Sequence, residues 1–382
     1  MIVATANRLS EVKEYYFSKK LREVASLKAQ GKPIISLGIG SPDLVPPAKV
    51  KQTLTQAMEE PMAHAYKGYQ GIPELRKAMG EFYQNHFQVN LDPHTEILPL
   101  MGSKEGIMHV SMAFLNPGDE VLIPNPGYPT YASVTKLVGA VPKYYDLVAD
   151  NDWLPNLQAL EKQEMSKVKI MWINYPHMPT GALASETLYP ALIAFAKKHQ
   201  ILLVNDNPYS FILNNQPASI LNYKGAKEVA LELNSLSKSF NMAGWRVGMF
   251  VGGQAYLKEI LKVKSNMDSG MFYGIQKGAV EALQATSNWF DSINKEYQER
   301  RALVYQIVEA LNCSYNPTHV GMFVWAKIPE NTTSEQMTDN LLYNKNVFVT
   351  PGTVFGSNGE GYIRLSLCVS QTELKKVLAR VQ

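Results

Sequence analysis

The chain has 382 residues, 46% hydrophobic and 19% charged, with a net charge of +3. That balance is an ordinary globular one, and it excludes the strongly basic or acidic surface that nucleic acid or an anionic membrane would call for. The length exceeds one small core, so a larger and a smaller domain are expected.

Met1 to Arg8 carries no apolar leader. No apolar run reaches the roughly eighteen residues a membrane span needs. The two cysteines, Cys313 and Cys368, make neither a metal spacing nor a disulfide framework. A reducing compartment, the cytoplasm, is the expectation, with no metal centre and no membrane or nucleic-acid partner.

Phe17, Leu21, Val24 and Ala25 recur at helical spacing and predict a helix from Tyr16 to Lys28, stopped by Gly31. A short strand around Ile34 to Leu37 then runs into Gly38-Ile39-Gly40-Ser41-Pro42-Asp43, where glycines permit close backbone approach or form a plain turn. Tyr66-Lys67-Gly68-Tyr69-Gln70-Gly71 reads as an irregular loop before a helix from Pro73 to Phe87.

From about residue 95 the pattern is strand, turn, helix, repeated. Ile97 to Met101 is apolar, and Ser103 is read as the cap of the helix that follows, whose free N–H groups also suit a phosphate. Asp119 to Pro124 leads to Pro126-Gly127-Tyr128-Pro129, a stiff loop that places Tyr128. Val168 to Ile173 ends at Asn174, and Ser185 is read as the cap of a helix carrying Leu188, Leu192 and Phe195. Ile201 to Val204 is wholly apolar, as in a strand buried on both faces, and delivers Asp206 and Tyr209. A carboxylate there needs a partner, either a protonated ring nitrogen or a local turn.

Val229 to Leu233 leads into Ser235-Leu236-Ser237-Lys238, with Gly244 and Arg246 a few residues on, and Val247 to Val251 follows as a strand. A held lysine can condense with an aldehyde, and hydroxyls with a guanidinium hold phosphate. The stretch is either a solvated loop or a site for a phosphate-bearing aldehyde such as pyridoxal 5'-phosphate. Ser103, Tyr128, Asn174, Asp206 and Lys238 all follow strands, and open α/β sheets bind ligands at those carboxyl ends.

After about residue 274 the pattern changes to long helices near 275–285 and 288–311. Strands follow at Gly321 to Ile328, Val347 to Thr350 and Tyr362 to Leu367, then a helix from Gln371 to Val381. Arg364 lies within the last of these strands, as a surface ion-pairing group or as a clamp for a carboxylate.

The ordered set Pro124-Asn125-Pro126-Gly127-Tyr128, Pro179-Thr180-Gly181, Asp206-Asn207-Pro208-Tyr209, Ser235-Leu236-Ser237-Lys238 through Arg246, and Arg364-Leu365-Ser366 resembles the class I/II aminotransferases of pyridoxal-phosphate fold type I. Gly40-Ser41-Pro42-Asp43, Gly102 to Gly106 and Ser265 to Gly270 are similar to the branch holding LL-diaminopimelate, aspartate and alanine aminotransferases. The resemblance covers nearly the whole chain. It implies an α/β fold: a large domain with a mostly parallel seven-stranded sheet between helices, and a smaller α+β domain. Residues 1–45 would form an arm and part of the small domain, 46–274 the large domain, and 275–382 the small C-terminal domain.

It also implies roles. Lys238 forms the Schiff base with pyridoxal 5'-phosphate and shuttles the substrate proton. Asp206 pairs with the ring nitrogen, Tyr209 donates to the ring oxygen, Tyr128 stacks on the ring, and Asn174 contributes from its loop. Ser103, the Lys104 backbone, Ser235, Ser237 and Arg246 hold the phosphate, and Tyr66 reaches the site of a second subunit in a homodimer. Arg364 and the Gly40 backbone bind the substrate carboxylate. The implied reaction is ping-pong transfer of an amine between an L-amino acid and a 2-keto acid. The alternatives are a lyase or decarboxylase on the same fold, or a cofactor-binding protein that is not an enzyme.

One position departs from the pattern. Met178 stands where the family has an asparagine, and a thioether cannot donate that hydrogen bond. Either Asn174 or His177 replaces the donor, or the site runs slower, or the chemistry has drifted. Phe17, Tyr16, Phe272 and Tyr273 are candidate lining groups for a substrate side chain, or simply core and interface aromatics.

Overall fold

The computed structural model describes every residue except Met1, Lys13 and Tyr15, which fall in the 1–45 segment. A seven-stranded sheet runs through its centre in the order Ile97–Leu100, Gly248–Gly252, Ala230–Ser235, Leu202–Asp206, Val168–Ile173, Glu120–Asn125, Val141–Asp146. Gly248–Gly252 is antiparallel to both its neighbours, and the other pairings are parallel. The sheet is therefore mostly parallel, as expected.

Side-chain alternation explains why the central strands are mostly apolar. Ile170, Trp172, Leu202, Val204, Leu231 and Leu233 face one core, shared with Ile107, Val110, Val134, Leu257 and Ile260. Met171, Ile173, Leu203, Met249 and Val251 face the other, shared with Leu75, Met79, Phe82, Leu192 and Phe195. With helices on both faces, the central strands carry mostly apolar side chains, and the buried polar ones among them, Asn205, Glu232 and Asn234, are joined by hydrogen bonds to one another and to Tyr83.

A second, antiparallel sheet has the order Thr350–Pro351, Tyr362–Ser366, Phe323–Lys327, Ser314–Tyr315. The helices Ser287–Ala310 and Gln371–Val381 pack against each other beside it. Ile35–Ser36 pairs in parallel with Val347–Phe348, so the beginning of the chain is tied to its end.

The helices Tyr16–Ala29, Pro73–Phe87 and Gln371–Val381 lie where their apolar spacing and proline or serine starts predict. Two cap readings are corrected. Gly102 is the N-cap of Ser103–Phe114, and no side chain caps that helix, because Ser103 is already its first residue. Thr187, not Ser185, precedes Leu188–His199, again without a side-chain cap; the Ser185 hydroxyl meets Thr187 Oγ1 at 3.3 Å instead.

Candidate active site

Beyond the carboxyl ends of the parallel strands lies a cleft of about 350 Å³. Ser103, Lys104, Tyr128, Asn174, Asp206, Tyr209, Ser235, Ser237, Lys238 and Arg246 all line it, and Gly40 and Arg364 line it from the second sheet's side. Gly40, on the loop after Ile35–Ser36, and Arg364, in the middle of Tyr362–Ser366, meet here from near opposite ends of the sequence. Tyr66 is the exception: it is 90% exposed and does not line this cleft.

Asp206 ends Leu202–Asp206 and is buried. Its Oδ2 accepts from the Tyr131 hydroxyl at 2.7 Å, while Oδ1 is buried with no partner among the described residues. Burial raises its pKa from 3.8 to about 6, against the lowering effects of the Tyr131 hydrogen bond and the Lys238 charge. Tyr131 is stacked on Trp172 at 4.5 Å and met edge-on by Tyr128 at 5.5 Å, so this support for the carboxylate is fixed by packing. Sequence reasoning missed Tyr131; its place three residues after Tyr128, in the helix Pro129–Leu137, is the signal that marks it.

Lys238 sits on the single helical turn Leu236–Ser239 after Ala230–Ser235. Its Nζ donates to the Gly40 carbonyl. Burial lowers its pKa, and the Arg364 and Arg246 charges push the same way, while Cys368 and Asp206 oppose them. An amine more easily deprotonated than usual is the form that attacks a carbonyl.

At one end of the cleft, the Ser235 hydroxyl accepts from the Ser237 N–H at 3.0 Å and donates to the Ser237 hydroxyl at 2.8 Å. Gly102 has φ +87°, and a Cβ there would stand 2.1 Å from the Arg246 guanidinium, so only glycine allows that approach. Hydroxyls, a guanidinium and the start of a twelve-residue helix converge here.

At the other end, Arg364 is 4% exposed, which removes the surface ion-pair reading. It donates to the Gly38 carbonyl at 2.9 Å and to Met178 Sδ at 3.3 Å. Its guanidinium lies 3.9 Å from the Phe323 ring, 4.6 Å from Phe355 and 5.6 Å from Phe17. A Cβ on Gly40 would meet Phe323 at 2.2 Å, so glycine is required where this backbone crosses the ring. Arg300 holds the same loop through a two-armed pair with Asp43 at 2.6 and 3.0 Å.

The two candidate replacements for the missing asparagine stand in different places. Asn174 Nδ2 donates to the Asp206 carbonyl and its Oδ1 accepts from the Met178 N–H at 2.7 Å, so main chain holds the amide through one of its two N–H donors, and the residue lines the cleft. His177 does not line the cleft; its Nδ1 meets Thr180 Oγ1 at 2.8 Å, and burial brings its pKa down to about 3. Tyr209 lines the cleft as a protonated phenol, its pKa raised by burial. Of the four candidate aromatic lining groups, Phe17 lines the cleft and Tyr16, Phe272 and Tyr273 do not.

The family model for aminotransferase class I and II matches residues 32–381. The LL-diaminopimelate aminotransferase of Natranaerobius thermophilus is 42% identical, over 99% of this chain and 98% of its own length. That of Dehalococcoides mccartyi is 41% identical over 98% and 97%. The apo-BacF structure from Bacillus subtilis superposes with a TM-score of 0.95 at 34% identity, covering 99% of this chain and 98% of that one.

Proposed function

We propose that this chain, which belongs to the class I and II aminotransferases, carries out its transamination with pyridoxal 5'-phosphate held in the Lys238 cleft. The amine passes from an L-amino acid to a 2-keto acid in two half-reactions. The observation that carries the reading is the buried, unpartnered Asp206 Oδ1 in the same cleft as a lysine of lowered pKa. A buried carboxylate oxygen without a donor is costly, and a protonated ring nitrogen supplies the donor.

The residues fit the group. Ser103, the Lys104 backbone, Ser235, Ser237 and Arg246 would hold the phosphate, and Tyr128 would lie against the ring. Asn174 supports the site through its bonds to the Asp206 and Met178 main chain. When bound, the cofactor supplies an aldehyde for the amine and a cationic ring that takes up the electrons left at Cα. Asp206 keeps that ring nitrogen protonated, and Tyr209 donates a hydrogen bond from its phenol. Arg364 and the Gly40 backbone orient the substrate carboxylate, which places the Cα proton within reach of Lys238. Lys238 Nζ then removes that proton and returns it at the other end of the transfer.

The chain division is proposed on the same footing, as 1–45, 46–274 and 275–382. The pairing of Ile35–Ser36 with Val347–Phe348 supports grouping the first segment partly with the last. A homodimer with Tyr66 serving the partner's site completes the reading, and LL-diaminopimelate is one donor that the relatives' names suggest.

The test is an absorbance titration. Protein loaded with pyridoxal 5'-phosphate should show a visible to near-ultraviolet band that shifts when an amino donor is added without keto acid, and Lys238→Ala should abolish the shift. A protein that shows no such band with added cofactor overturns the assignment.

A further inference from the structure

Setting aside the groups that serve the cofactor and the α-carboxylate, most of the remaining cleft wall is apolar. Phe17 and Leu21 reach it from the helix Tyr16–Ala29, Ile39 from the following loop, Phe323 and Phe355 from around Arg364, and Met178 from the loop after Asn174. Asp206 is the one carboxylate among the described lining residues, and its second oxygen is already bound by Tyr131. The cations are Lys238, Arg246, Arg364 and Lys104, the last beside Ser103 at the helix start.

We infer that the donor is a monocarboxylic amino acid with an uncharged, apolar side chain, aromatic or large aliphatic. This rests on the function proposed above and departs from the substrate that the relatives' names carry. A second ammonium group on the substrate meets no available carboxylate among the described lining residues of this chain, and a second carboxylate placed among these rings is stripped of water without a matching guanidinium there. An apolar side chain instead exchanges water for Phe17, Leu21 and Ile39. Met178 fits the same pattern. Where an asparagine would offer an amide beside the arginine, the thioether accepts from Arg364 Nη1 and adds apolar surface to the wall.

The experiment uses the loaded wild-type protein and follows its absorbance band without keto acid. The probes are L-phenylalanine, L-leucine and L-methionine against LL-diaminopimelate, L-glutamate, L-aspartate and L-lysine. The apolar donors should half-saturate at concentrations lower by about tenfold or more, the range a hydrophobic pocket can discriminate. Calorimetry on the same protein should show 3-phenylpropanoate, which has no amine to transfer, binding more tightly than glutarate. Leu21→Arg, at a position 43% exposed where an arginine has room without disturbing the core, should raise the half-saturation for L-phenylalanine by about tenfold. A band that responds first to diaminopimelate or to an acidic donor overturns the inference while leaving the transaminase reading intact. A band that responds to none of the seven overturns it too. Absence of any band counts against the cofactor reading instead.

Discussion

Asp206 has two oxygens in different situations, one bonded to Tyr131 and one buried without a donor. Its pKa is raised from 3.8 to about 6 by burial, so the folded, cofactor-free chain holds this proton more tightly than the unfolded chain does. The group therefore lowers stability as pH rises from about 4 through about 6, and the loss is complete above that window, at about 3 kcal/mol. Asp206→Asn removes the slope. Denaturant unfolding of cofactor-free protein should find the variant more stable than wild type at about pH 7.5, with the gap closing toward about pH 4. A gap that does not narrow would show that the carboxylate is not held in this way. With cofactor present the order should reverse, because an amide cannot match the ring's charge. The convergence of Asp206, Lys238 and Arg246 on one cleft could be read from the sequence because their chemistry is rare and all three lie beside strand ends, Asp206 ending one, Lys238 following one and Arg246 preceding one. The roles of Tyr131 and Phe323 arise from packing against residues tens to hundreds of positions away, as the 75-residue separation between Tyr131 and Asp206 illustrates, so for Tyr131 the spacing from Tyr128 marks the residue but not its partner.

Single elements show the same division between local signals and tertiary ones. Pro73–Phe87 and Gln371–Val381 begin on a proline and after a serine cap, and their apolar spacing is regular, so their ends were readable. Val141–Asp146 was not anticipated. Its sequence, Val-Pro-Lys-Tyr-Tyr-Asp, lacks a buried run and contains a proline, both tolerated because it is the edge strand beside Glu120–Asn125. Ser334–Lys345 was also missed, although Thr333 and Gln336 form a full capping box, a signal the sequence does carry. The helix Ser103–Phe114 depends on its glycine cap rather than on serine. Gly102→Ala forces a Cβ to 2.1 Å from the Arg246 guanidinium at a φ of +87°. That Gly-only backbone region alone costs about 1–3 kcal/mol for alanine, and Arg246 must move from the end of the cleft proposed for the phosphate. Cofactor dissociation, followed by fluorescence, should rise about tenfold, the factor that about 1.4 kcal/mol corresponds to. Unchanged affinity would place the phosphate elsewhere.

Two sheets meet over one cleft, and yet one of the site residues expected from the sequence, Tyr66, does not line it. Tyr66 is 90% exposed on the loop before Pro73–Phe87, with Met62, Tyr69, Met267 and Phe272 also exposed. A Cβ on Gly270 would meet the Lys67 and Gly68 carbonyls at 2.6 and 3.0 Å, so the loop is packed against the segment that carries Met267 and Phe272. An exposed aromatic beside other exposed apolar side chains, on a loop held in this way, is a surface that a second copy could cover. If Tyr66 serves a second copy's cleft, each of two variants is defective for a different reason: Tyr66→Ala damages the partner's phosphate end, and Lys238→Ala removes the amine from its own. In a mixed dimer, the cleft of the Tyr66→Ala protomer keeps Lys238 and receives an intact Tyr66 from the Lys238→Ala protomer. Co-expression of the two should therefore yield more turnover per Lys238-bearing chain than Tyr66→Ala alone, and cofactor affinity at those sites should return to the wild-type value. Turnover equal to that of Tyr66→Ala alone would confine Tyr66 to its own subunit's surface and remove it from the site.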